Sequence, residues 1–169
     1  MRHYHDILIT DMNTWKMTST SPQHTEDIAE SIAHGLNGGE ILELTSDVGG
    51  GKTTFTKGLA RGLGVEETIT SPTFVVSKVY TGDSLELHHY DLYRLGELGI
   101  MSEEMQEVID NHTNITVIEW ASSAQELLPS DRLIRITIEP MADEKTREIT
   151  ISSAVDVANV LDELGAEQC

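Results

Sequence analysis

Leu42-Glu43-Leu44-Thr45-Ser46-Asp47-Val48-Gly49-Gly50-Gly51-Lys52-Thr53-Thr54 is the stretch on which the fold turns. Residues 40–45 read as a short strand. A glycine-rich loop follows at 46–51, then a helix from about 52 to 63 that Gly64 stops. A strand, a glycine-rich loop and Lys-Thr opening a helix make a phosphate-binding loop. Glycines let backbone N–H groups turn inward and approach phosphate oxygens with no Cβ in the way. The helix N-terminus adds unsatisfied donors and a positive dipole end. Gly49, Gly50, Gly51, Lys52, Thr53 and Thr54 are therefore the expected nucleotide-binding set. Lys52 reaches the β- and γ-phosphates, and the Thr53 hydroxyl is placed to bind Mg²⁺. The strict pattern has Gly where this chain has Ser46. Ser resists the positive φ that Gly accepts, so nucleotide binding is expected to survive there, at most weakened. Asp47 is expected to face solvent or a partner, since a carboxylate close to phosphates repels them.

Working outward, Ser21-Pro22 reads as N-cap and first helical residue. Ile28, Ala29, Ile32, Ala33 and Leu36 recur at helical spacing, and Asn37-Gly38-Gly39 stops that helix. Two strand-like runs, 74–80 and 85–90, flank the turn cluster Thr81-Gly82-Asp83-Ser84 and predict a β-hairpin. Leu98, Met101, Met105, Val108 and Ile109 predict a helix over 97–110, with Met101 and Met105 in the core. Residues 115–118 are a β-branched strand of the sheet interior. A short helix over 122–128, strands at 133–138 and 149–152, and an amphipathic helix over 155–164 complete the pattern. The alternation predicts a single-domain α/β fold with a mixed central sheet, antiparallel strands included, flanked by helices. Residues 1–20 read as a flexible extension in which 7–9 could add an edge strand. Residues 21–164 read as the P-loop domain and 165–169 as a tail.

The chain has 169 residues, the length of one domain. Eleven Lys and Arg stand against 29 Asp and Glu, a net charge of −18, which excludes direct nucleic-acid coating and charge-driven lipid attachment. The one cysteine, Cys169, allows neither an internal disulfide nor a thiolate zinc cluster. No apolar run approaches a membrane span, and no signal peptide is evident. The expected location is cytoplasmic.

A GTPase needs a guanine-reading Asn-Lys-x-Asp segment, and the sequence has none. A small-molecule kinase usually needs several arginines clamping phosphates. Here Arg61, Arg94, Arg132, Arg135 and Arg147 are scattered.

Three further segments resolve the choice by resemblance: Ser71-Pro72-Thr73-Phe74, His88-His89-Tyr90-Asp91-Leu92-Tyr93-Arg94-Leu95, and Val117-Ile118-Glu119-Trp120-Ala121. With the phosphate loop, and in this order over roughly residues 21–152, they resemble TsaE, the YjeE family of bacterial P-loop ATPases. The resemblance implies ATP hydrolysis supporting formation of threonylcarbamoyladenosine beside the tRNA anticodon. It implies ATP/ADP and Mg²⁺ as ligands and TsaD and TsaB as partners, with tRNA met only through that complex. A TsaC-type enzyme would supply the activated threonylcarbamoyl group.

It also implies residue roles. Glu119, at a strand end where ligands gather in α/β sheets, pairs with Thr53 on Mg²⁺; a strand-end surface carboxylate is the alternative. Asp91 sits near the γ-phosphate or else caps a turn. Thr73 senses the γ-phosphate or else only enters a strand. With Lys52, these three form the expected catalytic set. Trp120 lies near the nucleotide or packs in the core. Arg147 lies near the nucleotide or makes a surface ion pair. His89 shares the face of Asp91 if the strand continues, and either shapes the pocket or packs. Two other readings stand beside this one. The first is a non-hydrolysing regulatory module, which Ser46 motivates, and the second is a small-molecule kinase.

Overall fold

A computed structural model gives the fold and describes residues 12–72 and 74–169. The expected edge strand at 7–9 and Thr73 lie outside the described residues. The elements in chain order are β1 (Asn13–Ser19), α1 (Pro22–His34), β2 (Ile41–Thr45), α2 (Lys52–Gly62), β3 (Ser77–Thr81) and β4 (Glu86–Asp91). Then come α3 (Met101–Asp110), β5 (Asn114–Glu119), β6 (Leu133–Pro140), β7 (Arg147–Ser153), α4 (Ala158–Glu163) and β8 (Glu167–Gln168). One eight-stranded sheet runs β3-β4-β5-β2-β6-β7-β1-β8. Its four middle strands, β4, β5, β2 and β6, are parallel. Each flanking strand pairs antiparallel with its neighbour. The expected mixed α/β architecture is the observed one.

Local chemistry explains most boundaries. The Ser21 hydroxyl accepts the His24 N–H at 3.1 Å, and Pro22 opens α1 as the sequence requires. β5 is buried along its whole length, as its β-branched run predicts. α1, α2 and α4 bury Ile28, Ile32, Phe55, Leu59 and Leu161 against Leu42, Leu44 and Val117 on one face of the sheet. Met105 and Ile109 of α3 cover Ile41, Tyr90 and Ile118 on the other face.

Five expectations differ from the structure. Residues 13–19 are not a solvated extension. They pair with β7 along their full length and bury Trp15 and Met17. Residues 167–168 of the expected tail add an outer strand beside β1. The first hairpin strand starts at Ser77 rather than 74, because the Pro72 carbonyl accepts the N–H groups of Val75 and Val76 and closes a turn with Val76 at φ 68°. α3 starts at Met101 rather than 97, after Gly99 at φ 51°. The helix expected at 122–128 is two short 3₁₀ turns, Ala121–Ser123 and Gln125–Leu127. Among the described residues, no helix is long and apolar enough to cross a membrane.

Candidate nucleotide site

The site forms where the parallel strands end. β2 runs into the glycine-rich loop, and Gly51, at φ 125°, caps the start of α2 without a side chain. That φ is closed to ordinary side chains, so the sharp entry into α2 requires glycine. Gly50 is needed for space: a Cβ there would stand 1.8 Å from the Ser46 hydroxyl oxygen. No side chain caps α2 and its first turn carries no acidic residue, so its leading N–H groups and dipole are available to an anion. Ser46 itself has no positive φ. Its hydroxyl donates to the Asp47 carbonyl at 2.9 Å, so the strain expected of Ser at this position is not present. Asp47 is exposed, as expected.

A cavity of about 360 Å³ opens at this point. Of the expected residues, Gly49, Gly51, Lys52, Thr53 and Thr54 line it from the loop and α2. Asp91, Glu119 and Trp120 line it from the ends of β4 and β5. The strand register sets Asp91 directly beside Glu119. Sequence reasoning missed three other lining residues: Val48, Ser71 and Tyr93. Val48 and Tyr93 lie within quoted motifs but carry no distinctive chemistry, so only the fold could assign them.

The Lys52 ammonium is almost fully buried and donates to the Ser46 and Asp47 carbonyls at 2.9 and 3.2 Å. It also stands 4.8 Å from the centre of the Trp120 ring, within cation–π range. Trp120 is the half-buried lid of this arrangement. It sits in left-handed backbone geometry, φ 59°, and leans on the Tyr93 ring at 5.0 Å between centroids. Asp91 accepts the Tyr93 N–H at 3.0 Å and the Ser71 hydroxyl at 3.4 Å, so it both turns the chain and faces the cavity. Glu119 is 3% exposed, and its Oε1 lies 2.9 Å from Nε2 of the fully buried His89.

Arg147 does not line the cavity, and it makes no ion pair among the described residues. Its Nε donates to the Gly50 carbonyl at 3.0 Å, and its Nη1 donates to the Glu144 and Thr146 carbonyls at 2.8 and 3.0 Å. It therefore holds the backbone of the loop, and the reading as a surface ion pair gives way to a backbone tether. The turn that leads into Arg147 is held by Asp143. Hydrogen bonds from the Thr146 hydroxyl and from the Lys145 and Thr146 N–H groups keep its carboxyl below the usual carboxylate range.

The donor set fits a nucleotide phosphate with a hard cation. An ammonium, uncapped helix N–H groups and a Thr hydroxyl face two carboxylates across one cavity. No group of three or more His, Cys, Asp or Glu that could hold a metal occurs among the described residues. Mg²⁺ does not need one, because it is commonly bound through one or two carboxylates, phosphates and water.

Comparison with known proteins gives the chain's relatives. A family model described as "Threonylcarbamoyl adenosine biosynthesis protein TsaE" matches residues 19–149. A Bacillus subtilis protein named "tRNA threonylcarbamoyladenosine biosynthesis protein TsaE" is 37% identical over 84% of this chain and 87% of its own length. Its namesake from Streptomyces coelicolor is 38% identical over 75% of this chain and 88% of its own. The one from Treponema pallidum is 36% identical over 81% and 99%. The crystal structure of Bacillus subtilis YdiB superposes with a TM-score of 0.72 at 32% identity, covering 91% of this chain and 95% of that one.

Proposed function

The chain belongs to the TsaE family, and from that premise we propose that it hydrolyses ATP-Mg²⁺ in support of tRNA threonylcarbamoyladenosine formation, acting on a TsaB–TsaD pair in the cytoplasm. The observation that carries the reading is the meeting of two halves across one cavity. The loop and α2 bring Lys52, Thr53 and uncapped N–H groups, and the ends of β4 and β5 bring Asp91 and Glu119.

In this reading the loop N–H groups and Lys52 hold the phosphates. Thr53 and Glu119 would hold Mg²⁺, whose chemistry there would be neutralisation of phosphate charge. Asp91 orients water, a task that needs position more than basicity. Trp120 and Tyr93 close one wall of the cavity. Thr73 senses the γ-phosphate. With a net charge of −18, the chain meets tRNA only through its partners.

The kinase reading loses support from the arginines. Arg61 is held by Glu26, Asp27 and Glu30, and Arg135 by Glu43. Arg132 donates to backbone carbonyls, and Arg94 lies over the Phe74 ring. No arginine lines the cavity among the described residues.

Phosphate release from ATP-Mg²⁺ by the chain alone, and with the TsaB–TsaD pair of the same organism, tests the reading. Little release alone and a clear rise with the pair is the expected result. Lys52→Ala should lower the stimulated rate by about 10²–10³-fold, the usual loss when one electrostatic donor is removed. Intact ATP binding and a stable complex with no rise would replace hydrolysis by a purely regulatory role.

A further inference from the structure

His89 stands directly behind the cavity wall, against Glu119, and carries chemistry that neither the loop motif nor the carboxylate pair uses. It lies on β4 two residues before Asp91, so both side chains leave the same face of the sheet. That face carries α2. The register pairs His89 with Val117 and Asp91 with Glu119, so the imidazole reaches Glu119 on the diagonal of adjacent parallel strands.

The ring has no exposed surface, and its Nε2 lies 2.9 Å from Glu119 Oε1. Its Nδ1 has no hydrogen-bond partner among the described residues. A histidine kept only for packing is normally satisfied at both nitrogens or replaced by an apolar residue of similar shape. Here the single hydrogen bond of a fully buried ring goes to a carboxylate that lines the cavity. Glu119 accepts, so the Nε2 atom carries the hydrogen. That bond occupies one carboxylate oxygen and fixes the plane of the group, leaving Oε2 with a set direction.

We propose that His89 is a positioning residue for the magnesium site: its Nε2–H holds the Glu119 carboxylate in the one orientation that serves the cation. The proposal rests on the assignment of Glu119 to Mg²⁺ made above. Mg²⁺ demands near-ideal octahedral geometry, so a carboxylate free to rotate binds it less well than one held by a buried donor.

The test compares two side chains of similar size and flexibility. His89→Gln keeps an N–H donor near the Nε2 position, and His89→Met has none. Affinity for a fluorescent ADP is measured as Mg²⁺ is titrated, and again in EDTA. For wild type, Mg²⁺ should tighten binding. His89→Met should raise the Mg²⁺ concentration for half-effect by about 10–100-fold, the range for losing an outer partner of a metal ligand. Its affinity in EDTA should stay within about twofold, because the phosphate loop is untouched. His89→Gln should stay within about threefold of wild type in both.

A structural role would not produce this split between magnesium-dependent and magnesium-free binding. In a Glu119→Ala background, His89→Met should add no further loss, because the two act through one contact. An unchanged magnesium response in His89→Met overturns the proposal, as does an equal loss in both variants or an additive loss beyond Glu119→Ala. If His89→Met does not fold, His89→Gln decides by keeping or losing the wild-type response. A wild type whose nucleotide affinity ignores Mg²⁺ would instead overturn the assignment of Glu119, and this proposal with it.

Discussion

Arg147 shows how far a residue's role can lie from where its motif suggests. It serves the phosphate site without facing it, through a guanidinium spent on three carbonyls, one of them in the loop at Gly50. A hydrogen bond to a charged group contributes about 1.5–3 kcal/mol, and partial exposure puts this one at the low end. Arg147→Ala should therefore weaken nucleotide binding by roughly tenfold, in step with about 1.4 kcal/mol lost from loop preorganisation. Arg147→Lys should not restore it, because an ammonium cannot span the fork. Titration with a labelled nucleotide decides, and wild-type affinity in Arg147→Ala would reduce the tether to a surface contact. Lys52, Thr53, Asp91 and Glu119 were legible because their chemistry is written in local motifs, and the fold brought all four to one cavity. Arg147 and His89 were not legible in the same way. Each acts through a partner, 97 and 30 residues away respectively, and no local pattern encodes such a contact. Ser46 failed as a warning for the opposite reason. The motif assumes a positive φ that this loop does not use there.

Between elements, α1 and α2 pack closely, and glycine makes that approach possible. A Cβ on Gly58 would stand 2.1 Å from the Glu26 carbonyl oxygen and 2.6 Å from its Cα. A Cβ on Gly62 would stand 2.7 Å from the Glu30 carbonyl oxygen. Both obstacles are backbone, so they cannot rotate away as a side chain could. Gly58→Ala gains about 1 kcal/mol of helix propensity. Forcing the helices apart costs about 1–3 kcal/mol. The net sign should be destabilising, read as a lower urea midpoint with an unchanged slope, and a raised midpoint would show that the helices separate freely. The sequence predicted both helices from their caps and apolar spacing, yet did not reveal that they touch. Helical spacing locates an apolar face but not the distance at which it packs. The same limit explains the hairpin. Residues 74–76 have strand composition, but the Pro72 carbonyl draws the N–H groups of Val75 and Val76 into a turn, and Phe74 stands 86% exposed.

At the scale of the whole molecule, the sheet extends beyond the region that carries the motifs. The family match begins at residue 19 and ends at 149, whereas β1 occupies Asn13–Ser19 and β8 Glu167–Gln168. The sequence read the first of these as a preamble because its apolar residues are few and His and Asp precede them. A seven-residue strand needs only one buried face, and Trp15, Met17 and Ser19 supply it. A chain cut to residues 21–164 would keep every site residue and lose the strand that covers β7. Burial of a large apolar side chain contributes about 1.5–3 kcal/mol, so losing Trp15 and Met17 removes about 3–6 kcal/mol. Domains of this kind hold about 5–15 kcal/mol in all. The cut chain should therefore melt far below the full one, and the bare β7 edge should drive association. Circular-dichroism melting and size-exclusion chromatography of the two chains test this together. Equal melting temperatures and a monodisperse cut chain would mean that the sheet is complete without β1. Loss of folding would mean that the phosphate site depends on a strand at the far side of the sheet, which positions β7 and, through Arg147 at its start, the carbonyl of Gly50.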